Sequence, residues 1–441
     1  MSGMTADEMM ALARELYPIC RSITGDGVRA TLDLISDHIP LERHEVASGT
    51  PVLDWTVPRE WNIRDAWIKD ASGKRLVDFA ASNLHVVNYS APLPAQRMSL
   101  DALEAHLHSL EDRPDVVPYR TTYYDENWGF CLTHRQRESL EAGEYEVCID
   151  STLEDGALSY GELLIAGESP EEVLISVHVC HPSLANDNLS GIAVATAFAK
   201  ALRAQPRRLS YRFVFAPGTI GAITWLARNR DAAERVRHGL TLVCIGNDEG
   251  LRYKRSLAGD APIDRAVEAV LESSGELCEV RDFHPYGYDE RQYNSPGFRI
   301  PMGSLSRGLH GEFPEYHTSA DDLSFIQPQR LAGALETLLE IASVLDSNRH
   351  FRSLAPFGEP QLGRRGLYCA MGGETNPADL SIALLWTLQL ADGEHDLLAV
   401  AERSGLDFEL VARAAALLEK HDLLEALDHP SGDHAANESK N

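Results

Sequence analysis

Five residues with ligand or acid–base chemistry fall close together in HVCHPSLANDNLSG, residues 178–191: His178, Cys180, His181, Asp187 and Asn188. Imidazole nitrogen and carboxylate oxygen are the donors that zinc and similar divalent ions prefer. The same residues also make an ordinary turn, with His181-Pro182 and Asn186-Asp187 as turn formers and His178 as a packed histidine. A second segment, PEYHTSADDL at 314–323, sets His317 in a loop ahead of Asp321 and Asp322, which read as ligands or as capping residues. A third, GYDERQYNSPGFRIPMGS at 287–304, places Asp289, Glu290 and Arg291 beside an apolar stretch. It reads as an ion-paired surface loop or as a carboxylate pair facing a substrate or metal.

An alternation of apolar strands and helices must position these segments. The strand EEVLISVHV ends at His178, and Pro182 forbids its continuation as a central strand. The helix NLSGIAVATAFAKALRA follows. Then come the strand LSYRFVFA, the helix TIGAITWLARNR, the strand GLTLVCIG, the helix APIDRAVEAVLESSG and the final helix PQRLAGALETLLEIASVLDS. This pattern predicts an α/β fold with a buried, largely parallel sheet. Ligands of such sheets bind beyond the carboxyl ends of the strands, where HVCHPSLANDNLSG lies.

Ahead of the sheet, Thr5 and Glu8 form a predicted capping box for a first helix, and a second helix covers 27–39. Residues 46–159 are β-rich, with VLDWTV, DAWIKD, KRLVDF, LHVVNYS and YEVCIDSTL as short strands and SLDALEAHLHSL as the one clear helix. From 360 to 430 the chain reads as helical, with HDLLAVAERSG and LDFELVARAAALLEKHDLLEAL joined at Gly405. Residues 431–441 read as a disordered tail.

Composition bounds the function. Of 441 residues, 44% are hydrophobic and 24% charged, which suits a folded soluble protein. The net charge of −27 gives no global attraction to nucleic acid or anionic lipid. The seven cysteines are scattered and odd in number, so they read as thiols of a reducing compartment. No secretion signal and no apolar run of about 18 residues is evident, so a cytoplasmic protein without membrane contact is expected.

A His at a strand end, an Asp nine residues later in Asn-Asp-Asn-Leu-Ser-Gly, and a distant His-Thr-Ser-Ala-Asp resemble the zinc aminopeptidases of the M28 clan. More closely, the chain is similar to a bacterial aminopeptidase-like group of unknown function. It shares VLDWTVPREWNIRDAWI, SNLHVVNYS, PYRTTYY, WGFC, HVCHPSLANDNLSG, YKRS, DERQY and PEYHTSADDL, over roughly residues 10–350. The resemblance implies an aminopeptidase-like α/β domain at 1–45 and 160–355, an inserted β-rich domain at 46–159 and a winged-helix-like domain at 360–430. It implies His178 and His317 as terminal zinc ligands and Asp187 as a bridging carboxylate. A further ligand belongs after GLTLVCIG, where Asn247 and Asp248 stand, so Asp248 is the candidate. The M28 pattern also carries Glu-Glu after the strand LSYRFVFA, one general base and one ligand. This chain reads Ala216-Pro217-Gly218-Thr219-Ile220-Gly221 there.

The missing pair leaves the second metal and the base open. Glu290, Glu312 and Glu315 are candidate replacements, and His181 is a possible extra nitrogen ligand. Glu315 lies two residues before His317, and residues two apart in extended chain point the same way. Asp289 or Glu290 would hold a substrate ammonium. Arg291 and Tyr293 would bind a carboxylate or oxyanion, and Tyr123, Tyr124 and Trp128 would form an apolar wall. The implied activity is zinc-dependent hydrolysis, with one or two ions, of an amide bond next to a free amine in a small peptide or aminoacylated small molecule. The alternative is a non-catalytic metal- or ligand-binding protein with a relict site. Residues 360–428 hold five cations and twelve acids, a balance of −7, which argues for a homo-oligomer contact or docking role over DNA.

Overall fold

The computed structural model describes residues 3–308, 311–367 and 377–427; the tail at 431–441 lies outside them. An eight-stranded mixed sheet dominates. Edge to edge its strands are Glu42–Ala47, Ala157–Ile165, Ser210–Ala216, Glu172–His178, Val236–Leu242, Met302–Ser306, Leu251–Lys254 and Cys278–Arg281. The central four run parallel. Antiparallel pairings join them to the outer strands on both sides, so the sheet is parallel at its centre and mixed overall. Every residue of Glu172–His178 and Ser210–Ala216 is buried. Helices such as Gly191–Leu202 and Ile220–Arg228 account for the near-continuous apolar runs.

Charges inside these strands are paired. Arg212 reaches Glu162 and Glu172, and Arg235 adds a contact to Glu172 at 2.8 Å. The capping box forms as the sequence predicts, with Glu8 N–H donating to Thr5 Oγ1 at 3.2 Å and Thr5 N–H to Glu8 Oε2 at 2.7 Å.

Between the sheet strands, an antiparallel four-stranded sheet orders Arg75–Asp78, Glu60–Lys69, Glu144–Glu154 and Leu93–Ser99. Ala66, Ile68, Val77, Val147 and Ile149 form its core. Two local readings change here. SLDALEAHLHSL makes only a short α-turn at Leu100–Leu103 and a 3-10 turn at Glu104–His106, then a strand at Leu107–His108 that pairs with Phe130–Cys131. LHVVNYS makes no continuous strand: Asn83–His85 is a 3-10 turn capped by Ser82, and Val86 and Asn88 form single bridges to Phe130 and Thr121. Long-range pairing outweighs local propensity in both segments.

The chain divides into two compact units. One holds Met1–Ala261 and Glu276–Leu338, the other Pro262–Gly275 and Leu339–Asn441. In the second, the helices Pro377–Leu390, Leu397–Ser404 and Phe408–Lys420 pack with a three-stranded sheet ordered Asp392–Asp396, His350–Ser353, Leu424–Leu427. The expected turn at Gly405 is present, with φ +67°. LLEAL does not continue the last helix; Asp422 turns at φ +57° and Leu424–Leu427 pairs with His350–Ser353. The helix Pro262–Ser274 belongs to this unit, where Arg265 pairs with Asp396 at 2.9 Å and Glu402 at 2.7 Å. No helix among the described residues is long and apolar enough to cross a membrane.

Candidate metal centre

The loop after Glu172–His178 and the segment at 314–323 together bring three histidines around one carboxylate. Asp187, 1% exposed, meets His178 Nε2 through Oδ1 at 2.8 Å and His317 Nε2 through Oδ2 at 3.0 Å. His181 Nε2 lies 3.9 Å from Oδ2. Donor atoms of His178, His181 and Asp187 all lie within 4.8 Å of one another.

Electrostatics suit these groups to a cation. Burial raises the Asp187 carboxyl, but His181, His178 and His317 outweigh it and hold the group well below its usual range, so it is ionised. Burial lowers His178 and takes His181 well below the ordinary imidazole range. Both rings are therefore neutral, the form that ligates metal. Burial pushes the Cys180 thiol up to about 12, which keeps it a thiol and not a nucleophile.

A buried scaffold holds the loop. Asp321, 0% exposed, accepts the backbone N–H groups of Asn186 at 2.6 Å and Asp187 at 2.9 Å. Arg21 is 1% exposed and donates from Nε to the carbonyl of His181 at 2.7 Å and from Nη2 to that of Pro182 at 3.2 Å. Asn188 donates to the Leu242 carbonyl at 3.0 Å and accepts from the Cys244 N–H at 3.2 Å, tying the loop to the next strand end. Three non-glycine residues at neighbouring loop positions, Thr219, Cys244 and His317, hold φ between +50° and +61°. Such backbone costs of order 1–3 kcal/mol each and persists where the surroundings over-determine it.

Aromatic rings wall the centre. Tyr288 packs on His178 at 3.9 Å and Tyr316 stacks on His317 at 3.9 Å. Tyr119 lies 5.0 Å from His317 and 5.1 Å from His181, and its hydroxyl meets that of Tyr123 at 2.7 Å. Tyr119 belongs to the segment inserted between strands of the large sheet. It is held in place because its N–H donates to the His317 carbonyl at 2.8 Å, while Ser319 N–H donates to the Val117 carbonyl. Burial pushes Tyr119, Tyr123 and Tyr288 well above the usual phenol range, so their hydroxyls stay protonated.

A family model described as “Domain of unknown function (DUF4910)” matches residues 10–348, and a “winged helix-turn-helix” model matches 349–426. The chain belongs to the DUF4910 family. A Clostridium acetobutylicum protein described as “Putative polysaccharide biosynthesis protein with aminopeptidase-like domain” is 48% identical to this DUF4910 chain, over 96% of the chain and 97% of that protein. The crystal structure of a “putative peptidase” from C. acetobutylicum superposes with TM-score 0.90 and 47% identity, covering 96% of each chain. A zinc aminopeptidase from Bacillus subtilis, BSAP, superposes with TM-score 0.56 at 14% identity, covering 77% of this chain and 95% of that one. The last match shows that the DUF4910 chain has a zinc-aminopeptidase-like fold over the part it covers, and the winged helix-turn-helix model accounts for residues 349–426.

The other candidate residues of the DUF4910 chain have different surroundings. Asp248 points away into an ion pair with Arg330 at 2.7 Å and its side chain is 78% exposed. Glu312 is bound to Arg281 at 2.8 Å and Arg252 at 3.2 Å on the surface. Glu290 is fully buried in an ion pair with Lys254. Tyr293 is a core residue, hydrogen-bonded to Ser176 at 2.9 Å. Trp128 stacks on His106 at 3.6 Å and packs against the core of the four-stranded sheet. Asp289 is 3% exposed and accepts the Thr219 N–H at 2.7 Å, and burial pushes its carboxyl up to about 7. Arg291 is half-buried near it. The Glu315 carboxylate has no hydrogen bond or ion pair with a described residue; its backbone carbonyl accepts the Thr318 hydroxyl at 2.8 Å. Sequence reasoning missed Arg21, Tyr119, Tyr288 and the supporting role of Asp321. Asp321 left a signal as the acid of the HTSAD phrase, and Tyr119 and Tyr288 lie inside PYRTTYY and GYDERQY, but Arg21 lies in none of the quoted phrases.

Proposed function

We propose that this chain is a zinc-dependent aminopeptidase-like hydrolase that cleaves a peptide or amide bond next to a free amine. The observation that carries the reading is the gathering of His178, His181 and His317 around the ionised Asp187. The donors of His178, His181 and Asp187 fit zinc: two neutral imidazoles and one carboxylate, beyond the carboxyl end of a central strand. Held by His178, His181 and Asp187, zinc would supply Lewis acidity and a water whose pKa is lowered to about 7.

The chain's own groups do the rest. Asp289, which accepts the Thr219 N–H and acts electrostatically on Tyr124 and Cys180, holds the substrate ammonium when ionised. Glu315, whose carboxylate is uncommitted, takes a proton and returns it to the leaving amine; Glu290 is committed to Lys254. The hydroxyls of Tyr119, Tyr123 and Tyr288 remain donors at working pH, and the rings limit water entry. Because the C. acetobutylicum relative carries a polysaccharide-biosynthesis description, carbohydrate precursors bearing an amide-linked amino acid belong in the substrate panel beside small peptides.

Purified protein should contain zinc and release amine from members of an aminoacyl-arylamide and aminoacyl-sugar panel, and chelation should stop it. Zinc-loaded protein inert toward the whole panel would favour the second reading, a non-catalytic binding protein. That reading draws on the absence of any carboxylate between Ala216 and Gly221. For residues 360–428, a homo-oligomer or docking role without nucleic acid is the proposal, from their −7 balance.

A further inference from the structure

We infer that the centre takes one divalent ion, not two, and that His181 is one of its ligands. The inference rests on the zinc reading above and deepens it. A two-ion site of the M28 pattern needs an acidic ligand on each flank of the bridging carboxylate, and both flanks lack one here. On the first flank stand Gly218 and Thr219. A Cβ built on Gly218 would lie 1.8 Å from the Tyr288 hydroxyl oxygen, so the phenol fills the space a side chain would need. The Thr219 N–H is spent on Asp289 at 2.7 Å. On the second flank, Asp248 is turned outward to Arg330. Asn247 is 1% exposed and offers a neutral amide, with neither amide atom hydrogen-bonded to a described residue.

His181 supplies what the flanks have lost. Its donor lies with those of His178 and Asp187 inside 4.8 Å. Two nitrogens and one carboxylate are three protein ligands, the number that leaves a catalytic zinc with an open position. His317 is not one of that group; it stays on Asp187 Oδ2 as a hydrogen-bond partner at 3.0 Å. The His181 ring is fixed for this task. Arg21 grips its backbone carbonyl, and Cys180 Sγ meets Nδ1 at 3.4 Å, which leaves Nε2 for the ion.

Charge points the same way. Among the described residues, Asp187 is the one carboxylate in contact with these histidines. One dication beside one carboxylate leaves a local charge of about +1, whereas two dications leave about +3 in a buried site, which is costly without further anions.

The test is a count. Metal-free protein titrated with Zn²⁺ against a chromophoric chelator, with elemental analysis after dialysis, should saturate at one ion per chain. His181→Ala should weaken that binding at least about tenfold, with unchanged far-ultraviolet circular dichroism, and His317→Ala should keep the ion. Two tightly bound ions per chain would overturn the inference, as would full affinity in His181→Ala. If His181→Ala does not fold, the wild-type count and a parallel Co²⁺ titration still decide. No bound ion at all would remove the zinc reading itself, whereas two ions would remove only this inference.

Discussion

The proposed base and the proposed ammonium-binding group, Glu315 and Asp289, are two carboxylates in different surroundings. Glu315 is uncommitted, so Glu315→Gln is expected to lower kcat at least about a hundredfold on a cleaved substrate, the usual scale of general acid–base assistance. Zinc content should not change; loss of zinc would make Glu315 a ligand, and full activity would exclude it as the base. Asp289 differs because burial raises its carboxyl to about 7. A raised carboxyl is neutral below that value and ionised above it. Capture of a substrate ammonium by Asp289 therefore strengthens as pH rises through about 7, and KM should fall over that range. Asp289→Asn should raise KM and flatten the trend while kcat changes little. A variant with the wild-type KM–pH profile would remove Asp289 from amine binding. The segments were legible in DERQY and PEYHTS, but only the folded chain shows that Glu290 is committed to Lys254, while the Glu315 carboxylate has no such partner among the described residues.

At the scale of elements, the strands that carry the centre are buried on both faces, and their charges must be matched inside the sheet. Arg212 is the hub, facing Glu162 and Glu172. Breaking a buried pair by removing one partner leaves charges uncompensated and typically costs about 3–5 kcal/mol. Arg212→Met is therefore expected to lower the thermal midpoint sharply, while Arg43→Met, in an exposed pair with Asp33, should lower it little. Equal small shifts in both, by thermal unfolding, would show that the network contributes no more than a surface pair. LSYRFVFA read correctly as a strand, but neither its arginine's partners nor the antiparallel outer joins were visible locally. Both depend on which strands become neighbours.

For the whole molecule, the unit boundary and the family-model boundary differ. The DUF4910 match ends at residue 348, yet the helix Pro262–Ser274 belongs to the C-terminal unit, where Arg265 is anchored to Asp396 and Glu402. A chain cut after Asn348 keeps this helix and loses those partners. It is expected to unfold at lower temperature or to aggregate on gel filtration. A monodisperse fragment with the parent's midpoint would show that the helix needs neither ion pair.

The sequence by itself determined the strand–helix alternation and the carboxyl-end position of HVCHPSLANDNLSG, and it singled out His178, Asp187 and His317 as candidates, which the fold brings together. Those features follow from hydrophobic periodicity and from residue chemistry, which are local properties. Tertiary structure decided the rest. It put His181 beside Asp187, placed Tyr288 over Gly218, turned Asp248 out to Arg330, paired Glu290 with Lys254 and set Arg21 under the loop. Each joins residues from separate elements, or sets the direction of a side chain, through packing and desolvation. Neither quantity is defined until the sheet has assembled.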